Sequence, residues 1–312
     1  MQKIIPPIDR KVIEKELTKD TFLRDTNNGN NKIYVITHHN SPNIMREIGR
    51  LREITFREAG GGTGKEVDID KFDYAPIPYK QLIVWNPEDK EITGGYRFIE
   101  CKDVLKKHKK GEEIELATAE LFNLSEKFIK DYLPHSIELG RSFVQPMYQP
   151  VNNSRKGLFS LDNLWDGLGT LVVDNPDIKY FFGKVTMYPH FNQRAKDMIL
   201  YFLFKYFPDK DNLVHPKDPL LIKTDITELE KIFNGGNYGA DYKLLIQALR
   251  GINENIPPLV NAYMNLTSTM RTFGTAINKG FGNVEETGLL VTIGDIYEMK
   301  KERHLSTYKK KE

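Results

Sequence analysis

A chain of 312 residues, 39% apolar and 11% aromatic, can bury a sizeable core as one large domain or two small ones. Its 45 Lys and Arg nearly balance 43 Asp and Glu, and the resulting net charge of +2 argues against a general nucleic-acid binder. A single cysteine, Cys101, excludes a disulfide framework within the chain and fits a reducing, cytoplasmic compartment.

The N-terminal MQKIIPPIDRKVIEKEL has no long apolar core, so it does not read as a secretory signal, and residues 8–18 read as a short helix. NKIYVITHH is rich in β-formers. IMREIGRLREITFREA is helical, with Ile44, Ile48, Leu51 and Thr55 near one stripe. A glycine-rich and then acidic stretch follows, FREAGGGTGKEVDIDKFDY at 56–74. YKQLIVWN and EITGGYRFIEC are two strands joined by PEDK, a hairpin signal. AELFNLSEKFIKDYL reads as one helix, and SIELGRSFVQP as a strand bounded by Pro134 and Pro146.

After the loop MYQPVNNSRKG, the residues Leu161, Leu164, Trp165 and Leu168 fall at i, i+3, i+4 and i+7. That is the stripe of an amphipathic helix, with Ser160 as its N-cap. IKYFFGKVTM is an aromatic, β-branched strand. Helices follow at 191–207 and 225–250, the second opened by an Asp225/Glu228 capping pair. The most apolar helical run, MILYFLFKYF, is far shorter than the about 20 residues that cross a bilayer. A helix near PPLVNAYMNL and strands near TAINKGF and TGLLVTI close the chain. Interleaved helices and strands, with hairpin signals in the middle, predict an α/β (α+β) sheet carrying helices on its faces.

Several familiar motifs fail on their residues. A phosphate-binding loop around Gly64-Lys65 needs Gly at 59 and Ser or Thr at 66, where the chain has Ala59 and Glu66. Asp68, Asp70 and Asp73 alternate as calcium ligands do, but no central Gly and late Glu follow. No G-x-S-x-G elbow is present, and Cys101 at a strand end reads as structural. His38-His39 lacks a third ligand nearby, so no metal is expected.

What remains is a set of charged residues beside glycines: Arg52-x3-Phe56, then Asp68, Asp70-Lys71-Phe72-Asp73, then Gly94-x-x-Arg97, then Glu138-x-x-Arg141. In order and spacing this set resembles the GCN5-related N-acyltransferase superfamily. The likeness is to the branch holding acyl-homoserine-lactone autoinducer synthases and the hemolysin-like ornithine and glycine N-acyltransferases. It covers residues 40–295 and includes IPPLVNAYMNLTSTM and FGTAINKGFG. Three departures stand out. No Trp follows Phe56, the coenzyme-A loop survives only as Arg155-Lys156-Gly157, and extra helices occupy about 190–250.

The resemblance implies one acyltransferase domain over 1–312, with a core of about 40–295 and a helical insertion at about 190–250. It implies a mixed, mainly antiparallel sheet flanked by helices, with a bulged central strand. In a regular strand Glu138 and Arg141 would face opposite ways, so Gly140 is expected to mark a bulge that brings them together and frees amides from Gly140 to Phe143. Glu138 and Arg141 are then the expected catalytic pair, with Glu138 the first choice to take a proton from an amine and Asp70 or Asp73 the alternatives. Arg52, Phe56, Asp68, Asp70, Asp73 and Arg97 are expected to anchor substrate or loop. A buried ion network from Asp70 and Asp73 to Arg52 and Arg97 would order the glycine hinge as it closes.

Ser142, Phe143, Val144, Arg155, Lys156 and Gly157 are expected at the acyl donor. Its phosphate would sit at the N-terminus of the helix after SRKG. The implied co-substrate is acyl-phosphopantetheine, on acyl carrier protein or coenzyme A, with no permanently bound cofactor. The implied reaction moves a long fatty acyl chain to the amine of a glycine- or ornithine-type amino acid in lipid synthesis, with no nucleic acid involved and contact at the inner membrane face. Two other readings stay open: an acetyl-coenzyme A-dependent N-acetyltransferase, and a non-catalytic membrane-associated module using the basic run KKHKK at 106–110.

Overall fold

The computed structural model describes residues 1–109, 111–149 and 157–310. Helix α1 (Arg10–Glu16) precedes strands β1 (Phe22–Asp25) and β2 (Lys32–Ile36) and the long helix α2 (Pro42–Glu58). The hairpin β3 (Lys80–Asn86) and β4 (Glu91–Glu100) runs into helix α3 (Cys101–Leu105), then β5 (Phe122–Leu124) and β6 (Ser136–Val144). Helix α4 (Ser160–Asp174), β7 (Tyr180–Met187), α5 (Gln193–Tyr206), β8 (Val214–Pro216), α6 (Ile226–Ile232), α7 (Tyr238–Arg250) and α8 (Pro258–Met264) follow. Strands β9 (Arg271–Asn278) and β10 (Val284–Thr292) and helix α9 (Glu298–His304) complete the order.

The main sheet runs β1-β2-β3-β4-β6-β7-β10-β9, and β5 pairs with β8 in a small second sheet. Every neighbouring pair in the main sheet is antiparallel except β6 and β7. This is the mixed, mainly antiparallel sheet that the family resemblance implies. Both faces are covered, which is why the central strands read as near-continuous apolar runs. In β3, Leu82 and Val84 join Leu164 and Leu168 of α4 on one face, and Ile83 and Trp85 join Ile44, Ile48 and Leu51 of α2 on the other. A third cluster, with Phe72, Tyr79, Phe122, Phe128 and Phe182, continues the α2 side of the sheet.

Several local expectations are corrected, and one strand is added. Residues 119–133 do not form one helix: Phe122 and Leu124 form β5, and helical turns occupy 128–135. Cys101 opens α3 instead of ending a strand. Strand β1 adds an edge that its four residues do not announce. Ser160 is the first helical residue of α4, and its hydroxyl donates to the Tyr148 carbonyl at 3.0 Å instead of capping the helix. The helix expected at 225–250 is two, broken at Asn234-Gly235-Gly236, where Gly236 has φ +76° and the Gly235 N–H donates to Asp241 at 2.6 Å. Asp225 does cap α6 through the Thr227 N–H at 2.8 Å, but the Glu228 carboxylate goes to Arg194 instead of completing a capping box.

Candidate active site

The site begins where the sheet splits. Parallel pairing of β6 with β7 covers only Ser136–Leu139 against Tyr180–Gly183. Beyond that point β6 stays with β4 and β7 stays with β10 as far as Met187, so the two arms diverge. Gly183 permits the last contact, since a Cβ there would lie 2.3 Å from the Leu139 carbonyl oxygen. A cavity of about 470 Å³ opens in the fork, lined by both arms.

One extra residue shapes the β6 arm. Gly95 pairs with Phe143 and Arg97 with Gly140, so Arg141 and Ser142 together face Tyr96. The bulge lies within the predicted stretch, but its strained position is Arg141, at φ +48°, and not Gly140. Glu138, Arg141 and Arg97 all line the cavity.

Behind the cavity wall three arginines meet three aspartates. Arg52 Nε donates to Asp68 at 2.9 Å and its Nη2 to Asp73 at 3.3 Å. Arg97 donates to Asp70 at 2.7 Å and lies 3.5 Å from Asp73. Arg141 Nε donates to the same Asp68 oxygen at 2.8 Å, and its guanidinium lies 3.5 Å from Asp70. Gln81 closes the set with a bond to Asp73 at 2.9 Å. Burial disfavours the charged form of Asp68, yet Arg141 and Arg52 overcome this and hold its carboxyl well below the usual range. Asp70 is likewise lowered: Arg97 and Arg141 outweigh its burial.

The glycine-rich loop is held mainly by a residue not singled out from the sequence. Glu53 of α2 is fully buried and accepts from the Thr63 N–H at 3.0 Å, the Thr63 hydroxyl at 2.7 Å and the Gly64 N–H at 2.7 Å. Its other tie is to Arg57 at 2.7 Å. The glycines stop the helix: Gly61 N–H donates to Phe56 O and Gly60 N–H to Arg57 O, with Gly60 at φ +87°, a Schellman ending. Phe56 meets Phe281 edge-on at 5.1 Å, and Arg141 lies 4.1 Å from that Phe281 ring.

A glycine N(alpha)-acyltransferase of Phocaeicola vulgatus is 55% identical over 310 residues, covering 99% of this chain and 94% of the relative. Its counterpart from Bacteroides thetaiotaomicron is 56% identical over 308 residues, covering 99% and 91%. The chain belongs to the glycine N(alpha)-acyltransferase family. A family model described as an acetyltransferase (GNAT) domain matches residues 51–155, so this chain is an acyltransferase of that class. Among solved structures, FeeM, an N-acyl amino acid synthase from uncultured soil microbes, overlays with a TM-score of 0.39 at 9% identity, across 89% of this chain and 98% of that one. The AHL synthase LasI gives 0.34 at 16% identity, across 51% and 74%.

In this acyltransferase Glu138 is almost fully buried and held from two sides. Tyr79 donates its hydroxyl to Oε2, and the Thr118 N–H donates to Oε1 at 2.7 Å. Burial, then the neighbouring Glu138 charge, push the Tyr79 phenol well up, so it stays a donor. The Ala117 N–H in turn donates to the Tyr79 hydroxyl at 3.0 Å. On the opposite arm Lys184 donates to the Ala117 carbonyl at 2.8 Å and pairs with Glu286 at 3.2 Å. Tyr188, also in the wall, has its phenol pushed up to about 12 by burial and by Glu286.

Tyr79, Thr118, Lys184 and Glu286 escape a reading by motif. Lys184 left one trace, as the sole charge in the apolar run YFFGKVTM. Ser142, Phe143, Val144 and Gly157 line the cavity, whereas Arg155 and Lys156 lie outside the described residues. Cys101 is buried, and desolvation reinforced by Glu138 pushes its thiol well up, unlike a nucleophile. His38 and His39 stack on each other at 3.7 Å. Among the described residues, no group of three His, Cys, Asp or Glu is placed to hold a metal ion, and no helix is long and apolar enough to cross a membrane.

Proposed function

We propose that this enzyme transfers a long fatty acyl chain from acyl carrier protein to the amine of glycine, in the synthesis of an amino-acid lipid. The observation that carries this reading is the forked cavity with Glu138 set into its wall, in a chain whose curated relatives are glycine N(alpha)-acyltransferases. The thioester lies along the bulged arm of β6, where N–H groups from Arg141 to Phe143 oppose the oxygen that becomes an oxyanion. Phe143, Val144, Phe181, Leu259, Tyr263 and Leu289 supply apolar surface for the acyl chain.

The acceptor amine is mostly protonated near neutral pH and must give up a proton to attack. That first proton goes to solvent, and Glu138 takes a second one from the amine nitrogen as the N–C bond forms. Collapse of the tetrahedral intermediate breaks the C–S bond, and the thiolate leaves with the proton. No covalent enzyme intermediate is involved.

The donor's phosphate is placed at the start of α4, whose first turn has no side-chain cap and adjoins Gly157 and Leu158 at the cavity. Arg155 and Lys156 directly precede it in sequence. Lys106, Lys107 and Lys109 belong to the basic run that would meet anionic lipid at the inner membrane face.

Purified protein is to be given long-chain acyl-carrier protein, the matching acyl-coenzyme A, or acetyl-coenzyme A, each with glycine, ornithine and other amino acids. Thiol release and N-acyl product only with the long-chain carrier protein and glycine are expected. Turnover restricted to acetyl-coenzyme A would replace this reading with a short-chain acetyltransferase.

A further inference from the structure

We infer that Lys184 is the anchor for the acceptor's carboxylate, and that the Ala117–Thr118 peptide sets its distance from Glu138. This rests on the amino-acid acceptor proposed above. One peptide group joins the two side chains: its carbonyl accepts from Lys184 Nζ at 2.8 Å and its N–H donates to Glu138 Oε1 at 2.7 Å. Both residues line the cavity, Glu138 at the base of the fork on β6 and Lys184 just past the last pair on β7. Glu138 and Phe182 are register partners, so Lys184, two residues further along β7, projects from the same sheet face as Glu138.

The path from the amine nitrogen to a carboxylate oxygen in an amino acid is one bond longer than the N–C–O path of the bridging peptide. A zwitterion can therefore lie alongside that peptide, its amine at Glu138 and its carboxylate at Lys184. The geometry selects Lys184 for this role, because its ammonium and Glu138 flank one peptide group. Arg97 and Arg141 each already face two aspartates. Lys184 faces one carboxylate, Glu286, and an ammonium carries three N–H donors. Its two described partners leave the third donor for a ligand. Its side chain is only 12% exposed, so it does not serve as a solvated surface charge, and an incoming carboxylate would bind with little competition from water.

The first test uses the wild-type enzyme with glycine and with glycinamide, which keeps the amine and loses the carboxylate charge. A kcat/KM ratio favouring glycine by roughly tenfold to a hundredfold is expected. The second test compares Lys184→Met/Glu286→Gln, in which no buried carboxylate is left unpaired, with Lys184→Arg. The double variant should raise KM for glycine by roughly tenfold or more, leave KM for the acyl donor within about threefold, and lose the preference over glycinamide. Lys184→Arg should retain part of that preference. Equal use of glycine and glycinamide by the wild type, or an unchanged glycine KM in the double variant, overturns the anchor while leaving glycine acylation intact. A wild-type enzyme that acylates neither amine overturns the amine-acceptor reading and the anchor with it.

Discussion

At the scale of single residues, the cavity wall separates groups that react from groups that hold them. Glu138→Gln keeps the shape and loses the proton acceptor, so kcat should fall by roughly 10²–10⁴-fold with little change in melting temperature. Retained turnover would move the base elsewhere, to Asp70 first. Asp68 behaves differently, because it neutralises two arginines and is itself fully buried. Asp68→Asn should cost about 3–5 kcal/mol in denaturant melts at neutral pH, the usual penalty for orphaning a buried charge. The folded carboxyls of Asp68 and Asp70 are lowered, so the stability they add is present above the ordinary Asp value of about 4. It is lost as pH falls through their depressed values. The gap between wild type and Asp68→Asn should therefore narrow below about pH 4, and a constant gap would contradict this account.

At the scale of elements, the bulge and the glycine-rich loop are held by contacts distant in sequence. Glu53→Ala removes the acceptor for three loop bonds, so trypsin should cut after exposed Lys65 roughly tenfold faster than in wild type, provided that opening is local. Equal digestion rates would mean the loop is held by other contacts. Gly183→Ala forces β7 off β6 at their last paired position, at a cost of about 1–3 kcal/mol, readable in a thermal melt, with loss of activity. How much of this could be read beforehand depended on the range of the signal. The bulge near Gly140 and the pairing of Asp70 and Asp73 with Arg52 and Arg97 were expected from the residue set that carries the family resemblance. Arg141 as the left-handed residue did not, because that φ suits glycine and only the ion pairs to Asp68 and Asp70 account for an arginine there. Strand β5 was hidden because Leu121, Leu124 and Phe128 fall at i, i+3 and i+7 as on a helical stripe, and its partner β8 lies about 90 residues away. Ser160 looked like a cap until the Tyr148 carbonyl proved to be its partner.

At the scale of the whole molecule, the fold class was legible because alternating apolar strands and helix stripes are local patterns. Strand order was not, because it depends on which edges meet after collapse. Lys184 shows the same limit at the site: only the crossover through α4 brings β7 beside β6 and places its side chain within one peptide of Glu138. That parallel seam is also the hardest part of the sheet to assemble. The hairpin β3–β4 can form from neighbouring residues, but Ser136–Leu139 must find Tyr180–Gly183 across an intervening helix, and such non-local pairing is slow. During refolding the protein should therefore become compact before it becomes an enzyme. In a Trp165→Phe background, the fluorescence of buried Trp85 in β3 should recover ahead of transferase activity after dilution from denaturant. Newly made chains would pass through an interval in which the hairpins are formed and the acyl pocket does not yet exist, and its apolar walls would then be open to other chains.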